Sequence, residues 1–217
     1  IMPSLVGSEM CIRDRYRLAK HTRFQQGSYP AALLDTLIAY LYLVRSCGFR
    51  PENIILSGDS SGGNLALALC RYLRDEKIEA MPRSLMLLSP WCDVSRSHSG
   101  PLKSPNPFST TVLNRECDII DASQLYRNSA VCPLLGRLPA SEAYTNPYLS
   151  PVSLQLDPQN HASMPHWGFE GFPPRTFICT GSAELNGEQH VTLAYRMAEG
   201  TLRGRPVYSG DSLMGDE

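Results

Sequence analysis

The sequence has almost no net charge. Its 217 residues include 20 Lys and Arg against 21 Asp and Glu, which leaves a formal net charge of -1 at pH 7. Proteins that bind nucleic acid or an anionic membrane surface carry an excess of basic residues that neutralise phosphate groups. We therefore expect neither partner. The shares of hydrophobic and charged residues, 42% and 19%, are those of an ordinary globular domain and exclude a coiled coil or a disordered tail.

Long apolar runs and paired cysteines are also missing. No segment approaches the roughly 18 to 20 apolar residues of a transmembrane helix, and the N-terminus has no signal-peptide pattern. The cysteines form no CxxC pair, which disfavours a zinc site or a disulfide framework and predicts reduced thiols, most of them in the core. We expect a cytoplasmic protein without a metal or another cofactor. The seven cysteines are at positions 11, 47, 70, 92, 117, 132 and 179.

The two ends of the chain do not have the pattern of a folded domain. Residues 1–15 lack both strand alternation and helical periodicity, and they resemble read-through from a library adapter. We predict a non-native leader, with a flexible native leader as the alternative. Residues 203–217 begin like an edge strand at Pro206–Tyr208 and then become small and acidic. We expect a partial domain over residues 16–217, incomplete at both ends.

Strand and helix patterns alternate between these ends. Apolar positions at helical spacing predict an amphipathic helix from Pro30 to Cys47, with Gly48 as its stop. The alternation predicts an α/β fold with a mostly parallel sheet and helices on both faces. The other predicted elements are strands at 53–57, 84–89 and 175–180 and helices at 64–73 and 187–198.

Residues 91–174 form a long stretch rich in Pro and Ser, in which only Ile119 to Arg127 has a helical pattern. A stretch of this length inside a compact α/β domain is typical of an inserted cap or lid over a site. We therefore predict a cap insertion at about residues 91–174.

Gly58 to Gly62 read GDSSG, a match to G-x-S-x-G. The pattern is weak alone, but here it separates a predicted strand from a predicted helix, which is the setting of a nucleophile elbow. The glycines permit the sharp turn, the Ser60 hydroxyl projects from the sheet, and the Ser61 N–H points to a developing oxyanion. A helix-capping turn is the alternative, and a phosphate-binding loop lacks the Walker lysine. The context predicts Ser60 as a nucleophile.

The hexapeptide GDSSGG at Gly58 to Gly63 resembles the elbow of the hormone-sensitive lipase family of α/β-hydrolases, whose usual form is GDSAGG. The resemblance implies a carboxylic ester hydrolase that cleaves small-molecule esters through an acyl-enzyme with a Ser, acid and His triad. It covers about residues 16–208, because similar segments are found at 16–19 (YRLA), 29–43, 89–91 (SPW), 146–151 (NPYLSP) and 172–188.

Two residues are candidates for the acid of the triad. Glu184 follows the strand that ends near Thr180 and precedes a helix, so its carboxylate is expected at the edge of the sheet where sites are built. It also falls where the family carries its triad Asp. Asp93, after the preceding strand, is the second candidate. Glu188 is more simply explained as a first-turn acid at a helix N-terminus.

The base of the triad is missing from the expected place, because residues 209–214 contain no histidine. Of the five histidines, His190 lies six residues after Glu184 in a predicted helix, and His21, His98, His161 and His166 precede the acid. The family's HGGG segment, which completes the oxyanion hole, is not found before Tyr16. We therefore expect this chain to be a truncated piece that is nearly inactive by itself, with the triad histidine beyond Glu217.

Two other functions stay open at this point. The plant gibberellin receptors resemble this family, lack the catalytic histidine and hold a ligand under the lid, so a binding protein of the same fold is one alternative. A peptidase or acyltransferase on the same scaffold is the other, because the elbow does not encode the acyl acceptor.

Overall fold

The structure, a computed structural model, describes residues 2–6, 9–13, 15–20, 27–101, 103–120, 131–156, 168–199 and 204–207. A π-helical turn (Tyr42–Ser46) extends the first helix, and a 3₁₀ turn (Pro51–Asn53) precedes the third strand. The elements, numbered in chain order, are strands β1 (Met2–Val6), β2 (Glu9–Arg13), β3 (Ile55–Asp59), β4 (Ser84–Leu88) and β5 (Arg175–Cys179), and helices α1 (Ala31–Leu41), α2 (Ser61–Glu76), α3 (Thr110–Leu113), α4 (Val131–Leu135), α5 (Glu142–Thr145) and α6 (Gly187–Ala198).

The central sheet has the order β3-β4-β5, and both pairs of strands are parallel. The register places Asp59, Leu88 and Cys179 level with one another, so the three strands end at one edge. The residues that follow the strands are therefore neighbours at the carboxyl edge of the sheet, which positions the candidate site. The predicted parallel α/β sheet is confirmed.

Helix α2 lies between the sheet and α1. One side of the helix (Ala66, Leu67 and Cys70) packs with β4, and the other (Leu69 and Leu73) packs with α1. Because both sides are buried, the helix is apolar almost all round, as its sequence indicated. Gly48, with a φ of +75°, ends the α1 region in the left-handed conformation that glycine adopts without a Cβ clash, as predicted.

In the described part of the chain, helices cover one face of the sheet. Leu85 and Leu87 of β4 share a buried cluster with α2 and with Leu193 of α6. On the opposite face, Ile55 and Phe177 are 64% and 53% exposed. Helices were predicted on both faces of the sheet. Among the described residues, they cover one of these two faces.

The structure corrects three expectations about the ends and the cysteines. Residues 2–6 and 9–13, expected to lack strand pattern, form the antiparallel strands β1 and β2. The expected edge strand is not present at Pro206 and Val207, and Tyr208 lies outside the described residues. Cysteines were expected mainly in the core, but of the six described thiols, all free, only Cys70 and Cys92 are buried.

The segment at 91–174 contains α3, α4 and α5 and no strand in its described part. Cys92, Val152 and Phe172 from this segment pack into the main core with β4 and α2. Part of the segment is therefore anchored in the main domain, and its role as a cap stays a prediction. The helix expected at 119–127 falls mainly outside the described residues.

Candidate active site

Ser60 occupies the turn between β3 and α2 with a φ of 51° and a ψ of −116°. This region of backbone space is unfavourable for a residue with a Cβ atom, and such strain is concentrated at functional sites. Hydrogen bonds hold the turn in place, because the Ser60 N–H donates to the Leu88 carbonyl at 2.9 Å and its carbonyl accepts from the Trp91 N–H at 2.9 Å. Ser60 is thus fixed at the C-terminal end of β3.

The glycines of the turn allow strand and helix to approach closely. A Cβ atom on Gly58 would overlap the carbonyl oxygen of Gly62, and one on Gly63 would lie 2.7 Å from the Cβ atom of Pro90. Real Cβ atoms do not reach such distances, so neither position accepts a side chain without movement of the backbone. The sharp turn therefore depends on Gly58 and Gly63.

We expect Gly63→Ala to lower the free energy of unfolding by about 1 to 3 kcal/mol, because the new methyl group overpacks against Pro90. Gly62→Ala is the matched control in the same helix, since its Cβ atom would meet only the Tyr16 hydroxyl, at 3.9 Å. Thermal unfolding of both variants checks the prediction. Equal melting temperatures would contradict it.

The N-terminus of α2 presents a hydrogen-bond donor beside Ser60. The N–H groups of Gly63 and Asn64 donate to the Ser60 carbonyl, at 3.0 and 3.3 Å, but the Ser61 N–H donates to no atom of the described residues. The positive end of the helix dipole adds to this donor. The arrangement provides a place for a developing negative charge next to the Ser60 hydroxyl.

Glu184 lies at the same edge of the sheet, two strands away from Ser60, after β5. Its Oε1 atom accepts from the Ser89 hydroxyl at 2.8 Å and from the Gly181 N–H at 2.6 Å. Ser89 directly follows β4, and its own N–H donates to the Cys179 carbonyl at 2.8 Å. The structure thus brings Glu184 to the end of β5, two strands away from β3, which carries Ser60. The Ser89 hydroxyl, at the end of the intervening strand β4, holds the Glu184 carboxylate in place.

Asp93, the second candidate acid, is fully buried. Its carboxylate accepts from the Ser95 N–H at 2.8 Å and from the Ser97 hydroxyl at 2.5 Å. Both donors belong to the turn that follows Asp93, so this carboxylate is used locally. Glu188 lies in the first turn of α6, as expected.

The described residues include His98 and His190, and neither directs a ring nitrogen to Ser60. The Nε2 atom of His98 lies 3.0 Å from the Val152 carbonyl. The Nε2 atom of His190 lies 3.0 Å from the Pro90 carbonyl, and its Nδ1 atom lies 3.6 Å from Glu184 Oε2. His21, His161 and His166 are outside the described residues, as are residues 209–214.

The contact between His190 and Glu184 was missed at the sequence level. Six residues along a helix would separate the two side chains, but Glu184 precedes α6. A turn in which the Gly187 N–H donates to the Glu184 carbonyl leads into the helix, and the Glu184 carboxylate lies beside His190. An acidic residue in a short loop, followed by a histidine at the start of the next helix, is the sequence pattern that would have indicated this pair.

A cavity of about 310 Å³ opens beside the elbow. This volume is at the small end of the range for ligand pockets. Ser61 and Ala68 of α2 line one wall, and Leu18, Tyr29 and Trp91 are on the others. Burial raises the pKa of Tyr29 to about 12, so its phenol stays neutral. The lining suits an uncharged, mainly apolar group.

A family model described as alpha/beta hydrolase fold matches residues 10–208 of the chain. The chain belongs to this α/β-hydrolase family. Among curated proteins, this α/β-hydrolase is similar to steryl acetyl hydrolase 1 of Saccharomyces cerevisiae, with 33% identity over 76 residues, which are 35% of this chain and 18% of that protein. It is also similar to carboxylesterase/phospholipase LipF of Mycobacterium tuberculosis, with 40% identity over 91 residues, 41% of this chain and 21% of that protein.

Among solved structures, the α/β-hydrolase is similar to an esterase from the bacterial hormone-sensitive lipase family. The TM-score is 0.60 and the identity 26%, over 84% of this chain and 49% of that chain. The predicted fold class and the resemblance read from GDSSGG are confirmed by these matches. The chain spans about half the length of the solved structure and about a fifth of the two curated relatives.

Proposed function

We propose that the protein hydrolyses carboxylic esters, with Ser60 as nucleophile, Glu184 as the acid of the triad and the Ser61 N–H in the oxyanion hole. The strained backbone of Ser60 at the junction of β3 and α2 carries this proposal. Such strain costs about 1 to 3 kcal/mol and persists where a function requires it. The esterase and acetyl hydrolase names of the relatives support the same reaction.

The proposed reaction has two steps. The Ser60 hydroxyl attacks the acyl carbon while a histidine takes its proton, and the oxyanion forms next to the Ser61 N–H. The alcohol leaves with that proton, and the acyl group stays on Ser60. Water, activated by the same histidine, then releases the carboxylic acid and restores the serine. Glu184 orients the histidine and stabilises its positive charge.

The histidine of this proposal is one outside the described residues. His190 has no free nitrogen for the Ser60 proton, because its Nε2 donates to the Pro90 carbonyl and its Nδ1 faces the Thr180 hydroxyl. His98 directs Nε2 to the Val152 carbonyl and forms no hydrogen bond with Ser60 among the described residues. The proposal is therefore complete only with a histidine on a segment that the structure does not describe.

The substrate in this proposal is a small, uncharged ester. The apolar walls of the 310 Å³ cavity, next to the Ser61 N–H, support an alkyl or acyl group as occupant. The segment at 91–174 contributes Trp91, Leu134 and Tyr148 to these walls, which supports its proposed role as a lid.

A cytoplasmic location is part of the proposal and is supported by the six free thiols. None of the helices in the described residues has the length and apolar composition to cross a bilayer.

A fluorophosphonate probe tests the proposal. The complete gene product that contains this chain is incubated with the probe, and the modified peptide is identified by mass spectrometry. Attack by the Ser60 hydroxyl releases fluoride and leaves a phosphonate on that serine, so we expect labelling of the peptide that carries Ser60, together with hydrolysis of p-nitrophenyl acetate. Stabilisation by an ester or acid without labelling would instead support the ligand-binding alternative. Labelling elsewhere, with Ser60 unmodified, would contradict the proposed nucleophile.

A further inference from the structure

His190 is a buried histidine that touches the proposed acid without belonging to the triad. Its side chain is 1% exposed, and its Nδ1 atom lies 3.6 Å from the Glu184 carboxylate, which is 25% exposed. Both ring nitrogens have further neighbours, because Nδ1 lies 2.5 Å from the Thr180 hydroxyl and Nε2 lies 3.0 Å from the Pro90 carbonyl.

These neighbours determine where the ring proton lies. A carbonyl oxygen is only an acceptor, so Nε2 carries a hydrogen and donates it to Pro90. In the neutral ring, Nδ1 is then an acceptor, and the Thr180 hydroxyl donates to it. No N–H bond of the neutral ring points to Glu184. The carboxylate consequently lies beside the imidazole without forming an ion pair with it.

The three partners of His190 are parts of the same small assembly. Pro90 lies between Ser89, which donates to Glu184, and Trp91, whose N–H donates to the Ser60 carbonyl. Thr180 directly follows β5 and begins the loop that ends at Glu184. The imidazole therefore links two parts of the site: the loop that carries Glu184, and the segment from Ser89 to Trp91 that supports Ser60.

We propose that His190 is a positioning residue: held neutral between Thr180 and Pro90, it fixes the Glu184 loop against the Ser60 elbow and leaves the Glu184 charge to the triad histidine. This inference rests on the proposed function, because it takes Glu184 as the acid. The role differs from catalysis, since the ring touches neither the substrate nor Ser60.

The charges around His190 agree with a neutral ring. Burial lowers the pKa of His190, and this effect outweighs the carboxylates of Glu184 and Asp118, which act in the opposite direction. Asp118 is used elsewhere, because it accepts from the Leu185 N–H at 2.7 Å and from the Ile120 N–H at 2.9 Å. A charged His190 would pair with Glu184 and compete with the triad histidine for it.

Nitrogen NMR of the complete gene product, labelled at histidine, tests the geometry without any assay of activity. We expect His190 to be the neutral tautomer with its proton on Nε2 at pH 7, and to take up a second proton only below the ordinary pKa of histidine. A doubly protonated His190 at pH 7, or the tautomer with its proton on Nδ1, overturns the inference.

Kinetics separate positioning from simple packing. Thr180→Val removes the donor to Nδ1, so we expect His190 to gain a proton there and to pair with Glu184. The triad histidine then loses part of the negative charge that raises its pKa, and the acid limb of the kcat/KM profile should move down by about one pH unit. His190→Ala should lower kcat by about 10²-fold through misplacement of Glu184, whereas His190→Gln, which still donates to Pro90, should recover most of it. His98→Ala is the matched control, since it also loses a buried bond to a carbonyl but lies away from Glu184.

The outcomes distinguish this inference from the proposed function. An unchanged acid limb in Thr180→Val, or equal losses of kcat in His190→Ala and His98→Ala, overturns the positioning role while the esterase function stands. A wild-type protein without esterase activity overturns the function and with it this role, even if NMR shows the expected tautomer.

Discussion

Replacing Ser60 with alanine is expected to lower kcat for ester hydrolysis by about 10⁵-fold or more, because the lost hydroxyl is the proposed nucleophile that forms the acyl bond. The backbone N–H groups at the start of α2 remain in this variant, so a small residual rate above that of water is expected. Stopped assays with p-nitrophenyl acetate and the complete gene product measure the loss.

Two further substitutions sharpen this result. Ser57→Ala is the matched control in the same strand, because Ser57 is exposed and precedes the turn, and its kcat should equal that of the wild type. Ser60→Gly should be as inactive as Ser60→Ala but more stable than the wild type by about 1 kcal/mol, since glycine relieves the strain of a positive φ. A Ser60→Gly protein that is inactive and less stable would indicate damage to the fold rather than loss of a nucleophile.

The fold was predictable where local pattern and burial coincide. Short apolar runs identified β4 and β5 nearly residue for residue, because strands of a parallel sheet need apolar residues throughout. The turn at Ser60 was predictable because glycine is required at Gly58 and Gly63, where a Cβ atom would collide with its neighbours. Such requirements are visible in the residue types themselves.

The missed features depend on contacts between distant parts of the chain. Ser89 donates to Glu184 across 95 residues, and His190 reaches the Pro90 carbonyl across 100. Both contacts follow from the parallel register of β4 and β5, which places Ser89 and Thr180 side by side. Sequence periodicity predicts that the strands pair but does not specify their register. The contacts that Ser89 and His190 make around Glu184 were therefore not predictable from the sequence.

Replacing Glu184 with glutamine is expected to lower kcat by about 10⁴-fold with little change in stability. The amide oxygen still accepts from the Ser89 hydroxyl and the Gly181 N–H, so the loop keeps its position. In the proposed triad, the substitution removes the negative charge that stabilises the imidazolium, and this loss acts on the transition state more than on substrate binding. We therefore expect KM to change far less than kcat.

The other acidic residues are the controls that make this prediction specific. Glu188→Gln, in the first turn of α6, should leave kcat unchanged. Asp93→Asn should lower stability by about 1 to 3 kcal/mol, because one of the donors to this fully buried carboxylate loses its acceptor, while the folded protein keeps its kcat. If instead Asp93→Asn removes the activity and Glu184→Gln retains it, the triad is completed from β4 rather than from β5, and the positioning role of His190 falls with the assignment of Glu184.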